Sequence, residues 1–236
     1  MIEPVTTRAI ERTWRLSGAI YVGLVLLLLF IGGLVLDFKE RQELLLPYYL
    51  TAFQRSQLLI LLLAPVQFAV AAYAAIRIAK LHGVADLLRS IDWNPSGNVA
   101  VSAFVGVAFA GVIKAISVRV FGTAATPYDG YAPLSVSLFL LSTVLAQPFI
   151  EEFYFRGILF IALADNVGDV GAVLVTSLLF AAFHPLQRLA ILPVALVLGV
   201  ARMKTKSVAA CFALHAGYNL GVLIFNFFYW RQILLS

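Results

Sequence analysis

Long apolar runs separated by short polar segments make up most of the chain. A run of about 20 apolar residues is long enough to cross a bilayer as a helix. The pattern predicts an all-α, polytopic membrane helical bundle of seven to eight transmembrane helices. The predicted helical segments are residues 16–36, 57–79, 99–121, 134–146, 157–164, 170–184, 189–200 and 208–230. The count depends on whether residues 151–164 form a separate short helix or continue the fourth span.

Polar segments mark the predicted ends of these helices. Residues 37–43 close the first helix, residues 44–53 are predicted to lie at the membrane interface, and loops are predicted at 82–98, 123–133 and 165–169. Pro65 is expected to kink the second helix, which a membrane bundle tolerates. No small-residue cleavage pattern follows the first helix, which is therefore expected to be retained. The loop at 82–98 separates residues 1–98 from residues 99–236, and both parts are expected to belong to one bundle.

Composition supports the membrane assignment. Of 236 residues, 62% are hydrophobic and 12% are charged, whereas soluble domains carry about 25% charged residues. The formal net charge of +5 comes from clusters near helix ends, which is typical of the positive-inside rule and not of a nucleic-acid partner. These clusters are Arg8, Arg12 and Arg15; Arg77, Lys80 and Arg89; and Arg202, Lys204 and Lys206. We expect a multi-pass protein of the cell membrane with a cytoplasmic N-terminus.

The single cysteine, Cys211, excludes an internal disulfide. It lies in an apolar segment without a basic neighbour close in sequence, so we interpret it as a small buried hydrophobic residue and not as a nucleophile.

Two adjacent carboxylates interrupt the apolar sequence at Glu151 and Glu152, and Arg156 follows. Charges in a membrane interior are costly unless they are paired or functional. Glu152 and Arg156 are four residues apart and share a helix face, which predicts an ion pair. Glu151 is rotated from that pair by about 100°, and we expect it to face a cavity as a general base. The simpler alternative, a packing ion pair alone, does not account for Glu151.

Two further motifs place polar side chains in apolar helices. His184 follows Phe180 by four residues and ends its helix before Pro185, so its ring can project beyond the helix end. His215 and Asn219 are also four residues apart, and Gly217 between them allows another chain to come close. Taken alone, either motif could be structural, because a histidine often ends a helix and buried polar pairs often join helices.

Together the three motifs form a hydrolytic set. Glu151 can take a proton from water, His184 can hold that water, and His215 with Asn219 can donate hydrogen bonds to an oxyanion. A zinc ion held by Glu151, His184 and His215 is the alternative, because two histidines and a glutamate form a known catalytic zinc shell. We favour no metal or other cofactor, since the carboxamide of Asn219 suits a donor better than a ligand.

In this order, the three motifs resemble the CPBP (Abi) family of intramembrane proteases, which includes type II CAAX prenyl endopeptidases and bacteriocin-processing or self-immunity proteins. The similarity covers about residues 133–229, and no motif position departs from the pattern. The resemblance implies that residues 99–236 form a catalytic core. It assigns Glu151 and His184 to water activation and His215 and Asn219 to the oxyanion hole. Glu152, Arg156 and Phe180 are expected to support them.

The expected function is therefore endoproteolysis of a membrane-embedded or membrane-anchored protein within the lipid bilayer. The alternative is a non-catalytic scaffold or bacteriocin self-immunity protein that binds a peptide or partner in the same cavity. A proton-coupled transporter is disfavoured, because the two halves of the sequence do not resemble each other. The sequence leaves open whether the substrate is lipid-modified or carries a leader or sorting signal, and whether a partner subunit is needed.

Overall fold

The structure, a computed structural model, describes residues 15–36, 50–95, 98–121, 133–184 and 188–235. These residues are almost all helical, and no strand occurs among them, so the predicted all-α class is confirmed. The elements in chain order are α1 (Leu16–Leu36), α2 (Ala52–Ala79), α3 (Val84–Ser90), α4 (Val99–Phe121), α5 (Pro133–Phe139), the π-helical segment π1 (Leu140–Ala146), α6 (Gln147–Glu152), the π-helical segment π2 (Phe153–Leu159), α7 (Phe160–Ala182), α8 (Arg188–Thr205) and α9 (Val208–Leu235).

Four helical stretches in the described residues are long and apolar enough to cross a membrane. They are Ala52–Ala79, Val99–Ile116, Pro133–Ala182 and Val208–Phe227, and Leu16–Ile31 is a shorter apolar helix. A membrane protein is thereby supported, whereas the predicted total of seven to eight transmembrane helices stays a prediction. Arg8 and Arg12 and the predicted loops at 37–43 and 123–132 lie outside the described residues.

The start of α2 differs from the prediction by five residues. Thr51 and Gln54 form a reciprocal capping pair, in which Thr51 N–H donates to Gln54 Oε1 at 3.1 Å and Gln54 N–H donates to Thr51 Oγ1 at 3.2 Å. This arrangement satisfies two N–H groups that a helix start otherwise leaves open. The helix therefore begins at Ala52, inside the segment predicted to be interfacial; residues 44–49 of that segment are not described.

Residues Pro133–Ala182 follow an almost unbroken helical path. The chain remains helical through π1, α6 and π2, so Glu151 lies on the continuation of the fourth span and not on a separate short helix. The path departs from helical geometry at Gly168, where φ is 74° and ψ is 167°. Glycine adopts this positive φ without the penalty of a Cβ atom. The turn predicted at residues 165–169 is thus present as a kink.

By the contacts between its residues, the chain divides into two compact units. Unit 1 comprises Met1–Leu28, Gln67–Gly97 and Ile150–Cys211, and unit 2 comprises Leu29–Val66, Asn98–Phe149 and Phe212–Ser236. Unit 1 contains an apolar core that includes Phe153, Ile158 and Phe180. Cys211 is fully buried in unit 1, as predicted for a small hydrophobic residue.

Close helix packing in unit 2 depends on glycine. A Cβ atom on Gly106 would lie 2.1 Å from the carbonyl oxygen of Leu214, and one on Gly217 would lie 2.1 Å from that of Ala103. No side chain fits in such a space, so α4 and the C-terminal helix α9 touch backbone to backbone. This confirms the prediction that Gly217 allows another chain to come close.

Candidate active site

Glu151 and His184 lie side by side in unit 1. The Oε1 atom of Glu151 and the Nε2 atom of His184 are 4.0 Å apart, and the two side chains are 18% and 25% exposed. This separation is too long for a direct hydrogen bond. Both side chains are partly accessible, as an attacking water would require. The two residues come from α6 and from the end of α7, which the kinked path between them brings together.

Phe180 holds His184 in two ways. The imidazole Nδ1 lies 2.8 Å from the carbonyl oxygen of Phe180, and the two rings stack with centroids 4.7 Å apart. Because a carbonyl oxygen only accepts hydrogen bonds, the Nδ1 atom carries the hydrogen. The Nε2 atom of the neutral ring is then an acceptor directed toward Glu151. The one-turn spacing of Phe180 and His184 thus fixes both the position and the tautomer of the imidazole.

Glu152 and Arg156 form the ion pair that their spacing predicts. Arg156 Nη1 donates to Glu152 Oε1 at 3.2 Å, and both side chains are fully buried. Arg156 Nη2 also donates to the carbonyl oxygen of Ala195 at 3.1 Å, and its guanidinium lies 4.6 Å from the centroid of the Phe180 ring. Arg156 of this ion pair therefore packs against Phe180, the residue that positions His184. Removal of one partner of a buried pair costs about 3–5 kcal/mol.

His215 and Asn219 belong to unit 2, on helix α9. His215 is 6% exposed, and the carboxamide Nδ2 of Asn219 donates to the carbonyl oxygen of Thr143 at 2.8 Å. A carboxamide has two N–H hydrogens. One hydrogen of Asn219 is used by Thr143, and the second remains as a donor. The site residues predicted from sequence are thus divided between the units, with Glu151, Glu152, Arg156, Phe180 and His184 in unit 1.

Residues 133–221 match the family model described as type II CAAX prenyl endopeptidase Rce1-like. This is a protease family. The match confirms the resemblance to CPBP intramembrane proteases that the motifs indicate. All seven predicted site residues lie within the matched range, which we call the Rce1-like segment. No curated protein and no solved structure matches the chain.

Arg202 of the Rce1-like segment is a component that the sequence interpretation missed. Predicted to be one of the basic residues that set topology, it is 2% exposed. Its Nε donates to the carbonyl oxygen of Arg156 at 2.8 Å, and its Nη2 donates to Asp92 Oδ2 at 2.6 Å. The position of Arg202 in a basic cluster near a helix end did not predict this burial or these two contacts. The sequence did contain an indication of this burial, because Arg202 shares one helix face with the apolar residues Ala195 and Leu198, seven and four residues earlier, which are buried.

The zinc alternative stays a prediction. Within the described residues, no group of three or more His, Cys, Asp or Glu side chains is arranged to hold a metal ion. In unit 1, Glu151 and His184 provide two of the three ligands that the alternative requires, with donor atoms of the right type for zinc.

Proposed function

We propose that the protein is an intramembrane endopeptidase that hydrolyses a peptide bond with a water molecule activated by Glu151 and His184. The observation that carries the proposal is the 4.0 Å separation of Glu151 Oε1 and His184 Nε2 within a segment that matches a protease family. One water can donate a hydrogen bond of about 2.8 Å to each of two acceptors at this separation. The pair is therefore suited to hold and polarise a single water.

In the proposed reaction, Glu151 accepts a proton from this water while the water oxygen attacks the carbonyl carbon of the scissile bond. A tetrahedral intermediate forms, and its oxyanion requires hydrogen-bond donors. Glu151 then passes the proton to the amide nitrogen as the carbon–nitrogen bond breaks. The products are a carboxylic acid and an amine, and Glu151 returns to its starting state. His184 Nε2 accepts the second hydrogen bond of the water throughout.

For His215 and Asn219 the proposal keeps the role that the family resemblance implies, which is donation to the oxyanion. The second N–H of Asn219, beside the one used by Thr143, is available for this purpose. Donors of this kind typically contribute about 10²–10³-fold to the rate.

We propose a substrate that is embedded in or anchored to the lipid bilayer of the cell membrane, which the protein crosses several times. The name of the matched family refers to prenylated CAAX substrates, so a lipid-modified C-terminal peptide is the first substrate class to test. A protein with a leader or sorting signal is the second. No nucleic acid takes part in the proposed reaction.

The proposed reaction uses no metal. In the zinc alternative, Glu151, His184 and His215 would hold the ion, which would supply Lewis-acid activation of the water or the carbonyl. Treatment with a chelator distinguishes the two: full activity of the purified protein after extended chelation supports the proposal, and a loss that added zinc restores supports the alternative.

The decisive experiment compares wild type, Glu151→Gln and Asp169→Asn by terminal proteomics of membranes and by cleavage assays in proteoliposomes. Glu151→Gln keeps the size of the side chain but removes its basicity, so cleavage should fall by about 10²–10⁴-fold. Asp169→Asn is the matched control, because Asp169 is a partly exposed partner of Lys206 in the same segment. A fully active Glu151→Gln variant would remove the general-base assignment. Normal biological function of a Glu151→Ala, His184→Ala double variant would favour the non-catalytic alternative.

A further inference from the structure

A set of polar side chains joins helix α2 to the fourth span in unit 2. Gln54 Nε2 donates to Ser135 Oγ at 2.9 Å. One turn further along α2, Gln57 Oε1 accepts from Thr143 Oγ1 at 2.8 Å and from the hydroxyl of Ser142. Both glutamines are about 8% exposed. Buried amides in a membrane-spanning segment must be hydrogen-bonded, and such residues commonly hold helices together or serve a site.

Thr143, which Gln57 contacts, has a backbone carbonyl group that its own helix leaves available for another donor. In π1 the N–H of Gln147 donates to the carbonyl oxygen of Ser142, five residues earlier. The corresponding donor for Thr143 would be residue 148, which is Pro148 and has no N–H. The carbonyl oxygen of Thr143 can therefore accept from outside its own helix. Asn219 Nδ2 provides that hydrogen bond at 2.8 Å.

Thr143 is thus held at two atoms by two different helices. Its hydroxyl donates to Gln57 of α2, and its carbonyl accepts from Asn219 of α9. A movement of Thr143 changes the direction in which the Asn219 carboxamide can point, because the hydrogen bond requires a nearly linear geometry. Gln57 limits that movement. The direction of the remaining N–H of Asn219 then depends on Gln57 through Thr143.

We propose that Gln57 is a positioning residue for Asn219, acting through Thr143. Gln57 lies outside the matched residues 133–221, so this inference assigns part of the site to the N-terminal helices. It rests on the proposed function, in which Asn219 donates to the oxyanion. Catalytic groups must be held within about 0.5 Å of the productive geometry by their supporting residues, and Gln57 is a support of this kind.

The test compares Gln57→Leu with Gln54→Leu. The two substitutions remove the same side chain from neighbouring turns of one helix, and each breaks a buried amide contact to the fourth span. Only the contact of Gln57 involves Thr143, the residue that binds Asn219. We expect kcat to fall about 10-fold in Gln57→Leu with little change in KM, and to stay near wild type in Gln54→Leu. Equal kcat values for the two variants would overturn the proposal. Thr143→Val, which removes the hydroxyl but keeps the carbonyl, should reproduce Gln57→Leu and replaces it if that variant does not fold.

A second measurement separates this inference from the proposed function. The side-chain amide resonance of Asn219, observed by NMR of ¹⁵N-labelled protein in detergent micelles and assigned with Asn219→Ala, reports its hydrogen bond without any substrate. It should shift in Gln57→Leu and in Thr143→Val and stay in place in Gln54→Leu. An unshifted resonance in the first two variants contradicts the proposal. If wild type shows no proteolysis but the resonance shifts as expected, the proposed function fails and the positioning of Asn219 by Gln57 stands.

Discussion

Two neighbouring glutamates in one helix turn have opposite environments. Glu152 is fully buried against Arg156, whereas Glu151 is 18% exposed beside His184. The rotation of about 100° between consecutive helical residues directs one carboxylate into the core of unit 1 and the other toward the imidazole. The difference in burial, and not the residue type, distinguishes a structural carboxylate from a candidate base.

Phe180 should act as a positioning residue for His184. Its ring stacks on the imidazole at 4.7 Å and also faces the guanidinium of Arg156 at 4.6 Å. Phe180→Leu removes the stacking but keeps the backbone carbonyl that binds Nδ1. We expect kcat to fall about 10-fold, equivalent to about 1.4 kcal/mol, while KM stays near its original value because the ring is 1% exposed and cannot bind substrate directly.

The control for this prediction is Phe183→Leu, a change of the same type at a position that is 42% exposed and lies next to His184 in sequence. Cleavage kinetics and the imidazole resonances of His184 should be near wild type in the control and altered in Phe180→Leu. If both variants keep wild-type kcat and imidazole resonances, the stacking does not position His184.

At the scale of single residues, the sequence predicted the ion pair and the pairing of Glu151 with His184, because helical spacing and motif order are visible in one chain. The contact between Asn219 and Thr143 was not predicted. It involves a backbone carbonyl, and its availability depends on Pro148 together with a π-helical turn. The proline is visible in the sequence; the π-helical register is not.

At the scale of the elements, helix α8 carries a buried arginine, Arg202, that connects the loop after α3 to the π-helical segment π2. Arg202 reaches Asp92 with one end of its guanidinium and the carbonyl oxygen of Arg156 with the other. The same loop is fixed to the start of α9, since Val208 N–H donates to the carbonyl oxygen of Asp92 at 3.1 Å. Arg202 therefore ties the loop after α3 to π2, next to the Glu152 and Arg156 pair.

We expect Arg202→Met to destabilise the protein by about 1–3 kcal/mol, because the carbonyl oxygen of Arg156 and the carboxylate of Asp92 lose a donor. Lys204→Met is the matched control, as Lys204 is an exposed cation two residues later on the same helix. Thermal unfolding of both variants in the same detergent measures the difference. Equal melting temperatures of the two variants would show that the contacts of Arg202 do not stabilise the protein.

Helix boundaries were predictable where composition changes sharply and less so where polar residues belong to the helix. The bounds of α4 agree with the predicted 99–121. The start of α2 was placed too late because residues 44–53 were predicted to be interfacial and the helix to begin at residue 57, although Thr51 and Gln54 form a helix cap. The end of α8 was placed five residues too early because the basic residues Arg202 and Lys204 were interpreted as following the helix, whereas both lie within it.

For the whole molecule, the helical class and the membrane assignment follow from hydrophobicity alone, because few arrangements satisfy backbone groups in lipid. The division into units does not follow from sequence. Residues distant in the chain, such as Ile91 and Gly157, pack together in unit 1, and apolar helices do not reveal their neighbours by pattern. The prediction that residues 1–98 and 99–236 belong to one bundle stays a prediction.

Contacts within unit 1 link residues that lie next to the described basic clusters. A Cβ atom on Gly18, near Arg15, would lie 2.7 Å from Ile78, which is next to Arg77. The loop after α3 contacts the end of α8, because Ser207 Oγ donates to the carbonyl oxygen of Asn94 at 2.5 Å. Within the second cluster, Arg89 donates to Asp86, and this hydrogen bond lowers the pKa of the Asp86 carboxyl. A shared membrane face for these clusters is what the positive-inside rule predicts.

Labelling from one side of sealed vesicles tests this topology. The only cysteine is Cys211, which is buried, so a Cys211→Ala background carries no other thiol. In that background, Arg15→Cys and Lys204→Cys, both at exposed positions, should react with a membrane-impermeant maleimide from the cytoplasmic side. Arg119→Cys should react from the opposite side, because at about 1.5 Å per residue the 23-residue helix α4 is long enough to cross the bilayer. Labelling of Arg15→Cys and Lys204→Cys from opposite sides would contradict the contacts within unit 1. Labelling of both from the external side would reverse the predicted orientation and would leave those contacts intact.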